Sequence, residues 1–150
     1  MKRIILVICI LCFVVLFCCA CGLFGDRKFT CDVSNIESVC IVRLDEYLEE
    51  KYQYEYTVLS HISNYETFVD RLNNLEHSVN WGEPCQLNVQ YVVIRIDYLN
   101  GDFDLIHQDA QCFNRSGKNR YGYFFFEDEQ FNELIGDYIN GECSTGRDSL

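Results

Sequence analysis

Basic residues are scarce in this chain: 12 Lys and Arg stand against 23 Asp and Glu, a formal charge of −11. A surface of that sign repels polyphosphates, so no DNA or RNA partner is expected. Catalytic signatures are missing too. No GxSxG, HExxH or P-loop occurs, and no Cys stands in a recognisable nucleophile context, which argues against an enzyme, although a fold can unite distant residues. His61, His77 and His107 share neither metal nor catalytic spacing, and helix-end or core positions account for all three. Proline and tryptophan occur once each, together in NWGEPC, where Trp81 is either a partner anchor or a lid folded back on the core. No internal repeat is present, no low-complexity segment lies outside the N-terminal apolar run, and no cofactor is expected.

Aromatic residues, by contrast, are abundant, with 10 Tyr and 11 Phe in 150 residues. That composition and length suit one packed domain. The chain opens with Met1-Lys2-Arg3 and the uncharged run IILVICILCFVVLF, the layout of an export signal. LFCCACGLFG follows, with Cys18, Cys19 and Cys21 close together. Adjacent cysteines without a partner pair do not match zinc-ligand spacing, and a membrane-inserting segment does not meet an oxidant. A small-residue cleavage site remains.

Cys18-Cys19-Ala20-Cys21, with Gly22 behind it, resembles the lipobox of bacterial lipoproteins. The resemblance implies that Cys21 receives a diacylglyceryl group and becomes the first residue of the mature chain, membrane-bound and facing outside the cytoplasm. Starting the motif at Leu16 would nominate Cys19 instead. The competing reading is an uncleaved membrane helix over residues 4–24. Loss of the leader removes Lys2 and Arg3 and leaves 10 basic against 23 acidic residues, a net of −13.

The expected organisation is a signal peptide over 1–20, a lipidated cysteine and tether over 21–34, one α+β domain over 35–140 and a mobile tail over 141–150. NIESVCIVRL alternates as a strand with Ile36, Cys40, Val42 and Leu44 on one side, and YQYEYTVL forms a second strand, with a turn or short helix at 45–51 between them. In SNYETFVDRLNNLEH, Ser63 and Glu66 form a capping box before the stripe Phe68, Val69, Leu72, Leu75. Asn100-Gly101 predicts a two-residue hairpin turn in which Tyr98 faces Phe103, Ile96 faces Leu105 and Asp97 faces Asp104. Two more strands surround Ser116-Gly117-Lys118-Asn119. Asp128 caps a last helix with Phe131, Leu134, Ile135, Tyr138 and Ile139 on one stripe. The sum is an antiparallel sheet of about five or six strands with both helices on one face.

Five cysteines follow Cys21, and outside the cytoplasm Cys85 with Cys112 and Cys31 with Cys143 are candidate disulfides. Cys40 reads as a buried thiol. Asp97 and Asp104 are weak metal candidates, since facing carboxylates either stay solvated or share a cation such as calcium. Arg115, Lys118 and Arg120 form a basic cluster able to touch an anionic lipid or wall polymer. The phrases IDYLNGDFDLI and YFFFEDEQFNELIGDYI resemble small lipoproteins of Gram-positive gut bacteria, a resemblance that implies no particular activity. The function expected is a binding or interaction module at the membrane surface for a protein or envelope ligand. The alternatives are a metal-assisted envelope enzyme using Asp97, Asp102, Asp104 or the histidines, and an immunity or inhibitor protein covering a basic partner.

Overall fold

The computed structural model describes residues 28–48, 53–79, 86–122 and 124–141. Cys21, Trp81, Cys85 and Cys143 lie outside the described residues. Among those described, no helix is long and apolar enough to cross a membrane. The chain forms strands β1 (Ile36–Leu48) and β2 (Gln53–His61), helix α1 (Tyr65–Asn73), strands β3 (His77–Val79), β4 (Val92–Tyr98), β5 (Phe103–Ile106), β6 (Gln111–Arg115), β7 (Lys118–Tyr121) and β8 (Phe124–Phe126), then helix α2 (Asp128–Gly141). Six strands make an antiparallel sheet in the order β2-β1-β4-β5-β6-β7, and β3 pairs with β8 in a second, two-stranded sheet. This is an α+β fold with both helices packed into one core.

The alternation of apolar residues places that core. Val39 and Ile41 of β1, Ile94 and Ile96 of β4 and Ile106 of β5 point to the helix side, where they meet Phe68, Val69 and Leu72 of α1 and Phe131, Leu134 and Ile135 of α2. Full burial of each such side chain contributes about 1.5–3 kcal/mol. The opposite face carries a smaller cluster of Cys40, Val42, Leu44, Leu87, Val93, Leu105, Ala110 and Cys112. Ile36 is on the helix side and not with Cys40, because the pairing of β1 with β4 shifts register between Ile36 and Ser38. A bulge there turns the strand over. β1 also runs on to Leu48, so residues 45–48 are strand and not the turn expected from their charge.

Both helix caps sit one residue from their expected positions. Asn64 accepts from the Thr67 amide in place of Ser63, and the Glu127 side chain accepts from Gln130 N at 2.8 Å, one residue ahead of Asp128. The β4–β5 connection is Leu99-Asn100-Gly101, three residues long, closed by Gly101 N to Tyr98 O and Tyr98 N to Asp102 O, with Gly101 at φ +83°. A left-handed glycine ending a three-residue loop is the bulged form of hairpin. Pairing therefore joins Ile96 to Asp104 and Asp97 to Phe103. That one-residue shift turns β5 over relative to β4. The β6–β7 turn is tighter than expected, with Ser116 and Gly117 both at positive φ and Lys118 already paired with Arg115.

At Gly122 the chain leaves the large sheet. Buried Gln111 makes the departure possible: its amide nitrogen donates to His107 O and Phe124 O, and its oxygen accepts from Phe124 N. One side chain thus satisfies the backbone at the crossing into β8. Residues 28–34, expected as tether, are in part core. Phe29 is buried edge-on against Phe124 and Phe126. Asn73 clasps Cys31 through both backbone groups, at 2.7 and 3.0 Å.

Candidate binding cleft around Arg115

The register shift in the β4–β5 hairpin buries a carboxylate. Asp104 lies on the helix-side face near Tyr98, with 3% of its side chain exposed. One oxygen, Oδ2, accepts from the Tyr98 hydroxyl at 2.7 Å and from Arg115 Nη2 at 2.5 Å, while buried Oδ1 has no hydrogen-bond partner. Arg115 Nη2 also donates to the Tyr98 oxygen at 3.0 Å, and its guanidinium lies over the Tyr98 ring at 4.2 Å. Cys31 Sγ is 3.3 Å from the same hydroxyl. Since the Tyr98 proton points to Asp104, the thiol is the donor there.

Burial dominates the ionisation of this group. It raises the Asp104 pKa, against the opposing pull of Tyr98 and Arg115. It also raises Tyr98 and Cys31, keeping both protonated at neutral pH. Burial works against the Arg115 charge, but Asp104 and Tyr98 outweigh it and the Arg115 pKa rises.

Arg115 separates this interior from solvent. Its side chain is 44% exposed against the 3% of Asp104, and it forms part of the wall of a cleft of about 450 Å³ lined also by Thr30, Asp32, Asn35, Tyr98, Leu99 and Asn100. Three pieces of chain build the cleft: residues 28–35 as a strap with a 3₁₀ turn at Val33–Asn35, the β4–β5 loop, and the end of β6. Leu99 N to Asn35 O at 3.0 Å ties the first two together. Ser116 N to Asp102 Oδ1 at 2.6 Å ties the second to the third. Among the described residues Arg115 is engaged through Nη2 alone, which leaves Nε and Nη1 for a ligand.

Arg115 pairs with Lys118 and Phe113 with Arg120, so all three basic residues alternate onto one face of β6 and β7. Asp97 and Asp104, expected to face one another, stand on opposite faces and cannot share a cation. Asp97 is held by Arg95 through two bonds, at 3.0 and 2.5 Å, and Arg95 is itself set between the rings of Tyr56 and Phe103. Among the described residues no three His, Cys, Asp or Glu side chains converge on a metal-sized site.

The three histidines are far apart in role. His77 accepts from Phe29 N, and His107 stacks on Tyr91 with its Nδ1 beside Asp109. His61 Nδ1 lies 3.1 Å from Cys40 Sγ, a thiol–imidazole pair that the sequence spacing conceals. Cys40 is buried in the lesser core, however, and presents no sulfur to a substrate. Cys31 and Cys112 are buried free thiols, with Cys112 pushed up to about 11 by burial and by Asp104, and Cys40 is buried as well. Sequence reasoning missed Asp104, Tyr98, Cys31 and Asp32 as neighbours of Arg115. The available signal was an acid inside the apolar phrase FDLI. Comparison with protein-family models, with curated proteins and with solved structures finds no match for this chain.

Proposed function

We propose that this chain is a lipid-tethered binding module on the outer face of the membrane, with Cys21 as the lipidated residue and the Arg115 cleft as its recognition site. The observation that carries the binding half is the state of Arg115. Its guanidinium is stacked on Tyr98 and bonded from behind by Asp104, so little freedom is left to lose when a ligand engages its exposed edge. Lys118 and Arg120 on the same face add positive charge in an otherwise acidic chain. Binding is favoured over catalysis because, among the described residues, the cleft offers no nucleophile paired with a base: its Tyr is raised by burial and engaged with Asp104.

The tether half rests on the leader and the lipobox-like Cys18-Cys19-Ala20-Cys21. Thermal unfolding of detergent-purified protein against small anions and zwitterions tests the site. A ligand that raises the Tm of the wild type but leaves the R115Q variant unmoved is the expected outcome. Equal shifts in both proteins would remove Arg115 from the site.

A further inference from the structure

We infer that the Arg115 cleft takes a small zwitterion, a molecule carrying one carboxylate and one ammonium group, such as a free α-amino acid. This rests on the binding reading above and names the ligand class for that same site. Two opposite charges line the one cleft: Arg115 on β6 and Asp32 on the strap. Nε and Nη1 of Arg115 point to different sides of the guanidinium, since Nη2 completes both of its two-point edges, and either can donate one charge-assisted hydrogen bond to a carboxylate oxygen. Asp32 is oriented by Ser34, whose amide bonds Oδ1 at 3.0 Å and whose hydroxyl bonds Oδ2 at 2.9 Å. Each oxygen keeps acceptor capacity for an ammonium group.

Charge balance selects against simpler ligands. A bare anion beside Arg115 also meets Asp32, with Asp104 behind the guanidinium, and a bare cation meets Arg115. A phosphate or wall polymer, with more negative charge, is disfavoured further. A zwitterion satisfies both ends at once. Thr30 and Asn35 line the same space and can add polar contacts, and Tyr98 and Leu99 offer apolar surface for a hydrocarbon side chain. A volume of about 450 Å³ lies in the lower part of the range that small-molecule sites occupy.

The test is isothermal titration of full-length, detergent-purified protein with a panel of L-amino acids, followed for the best binder by its N-acetyl and carboxamide derivatives and by inorganic phosphate. The free amino acid should bind at least about tenfold more tightly than either derivative, a difference of about 1.4 kcal/mol. D32N should erase the preference for the free amine over the N-acetyl form and leave the preference for acid over amide. R115Q should do the reverse. A folding defect would lower all affinities together, and Asp32 is exposed, so D32N keeps the test intact if R115Q does not fold. Arg115-dependent binding of phosphate or the N-acetyl derivative as tight as that of the free amino acid would overturn the zwitterion and leave the binding site standing. Absence of any heat with all probes, in wild type and variants alike, would overturn both.

Discussion

Asp104 is a carboxylate whose burial opposes its charge. Its folded-state pKa lies above the ordinary 3.8, because burial outweighs Tyr98 and Arg115. The folded protein thus holds that proton more firmly than the unfolded chain does. The resulting stability is complete below pH 3.8 and is lost as pH rises through the higher folded value. Urea unfolding of wild type and D104N across this window should show the wild type gaining on the variant as pH falls; a difference that stays flat would mean that the hydrogen bonds cancel the burial. Gly122 makes a second residue-scale case. A Cβ there would stand 2.8 Å from Gln111 Cβ and 2.9 Å from the Phe113 ring, and closer still to Gln111 Oε1. G122A should therefore destabilise by about 1–3 kcal/mol, the usual range for overpacking, as read from its urea midpoint. A neutral result would show that Gln111 can move without losing Phe124.

At the scale of elements, the helices and the central strands were legible because their signals are local and periodic. Phe68, Val69 and Leu72 recur on one stripe of α1, and the isoleucines of β4 alternate onto one face. Loop length was not legible. Asn-Gly serves two-residue and three-residue hairpins alike; here the Asn100 side chain and Asp102 bond each other reciprocally and set the longer form. That single residue of length hid Asp104 from the candidate site by assigning it to the wrong face. The division of RYGYFFFE into β7 and β8 was equally hidden, since it depends on Gln111, whose three bonds reach 4 and 13 residues along the chain. G101A probes the loop directly. Open space surrounds Gly101, so its cost is the backbone at φ +83° alone, about 1–2 kcal/mol. Loss of much more than this would indicate that the substitution has reset the register, which the amide pairings of β4 with β5 would reveal by NMR.

On the scale of the whole molecule, the strap links the proposed anchor to the proposed site. Phe29 and Cys31 are in the core while Thr30 and Asp32 line the cleft, so core and cleft share one short stretch of chain. The eight residue steps from Cys21 to Phe29 span at most about 29 Å when fully extended. A lipid on Cys21 would consequently hold the cleft close to the membrane surface, where small solutes reach it more readily than large polymers. F29A removes a buried ring that meets Phe124 and Phe126 edge-on, and should cost about 3–5 kcal/mol. The anchor itself is tested by the intact mass of protein extracted from membranes. A mass that begins at Cys21 and carries a diacylglyceryl group is the expected result, and C21A should then remain uncleaved and without lipid. A full-length mass without lipid in the wild type would replace the tether with a spanning helix over residues 4–24, and the short leash that places the cleft near the membrane would have to be measured from the end of that helix.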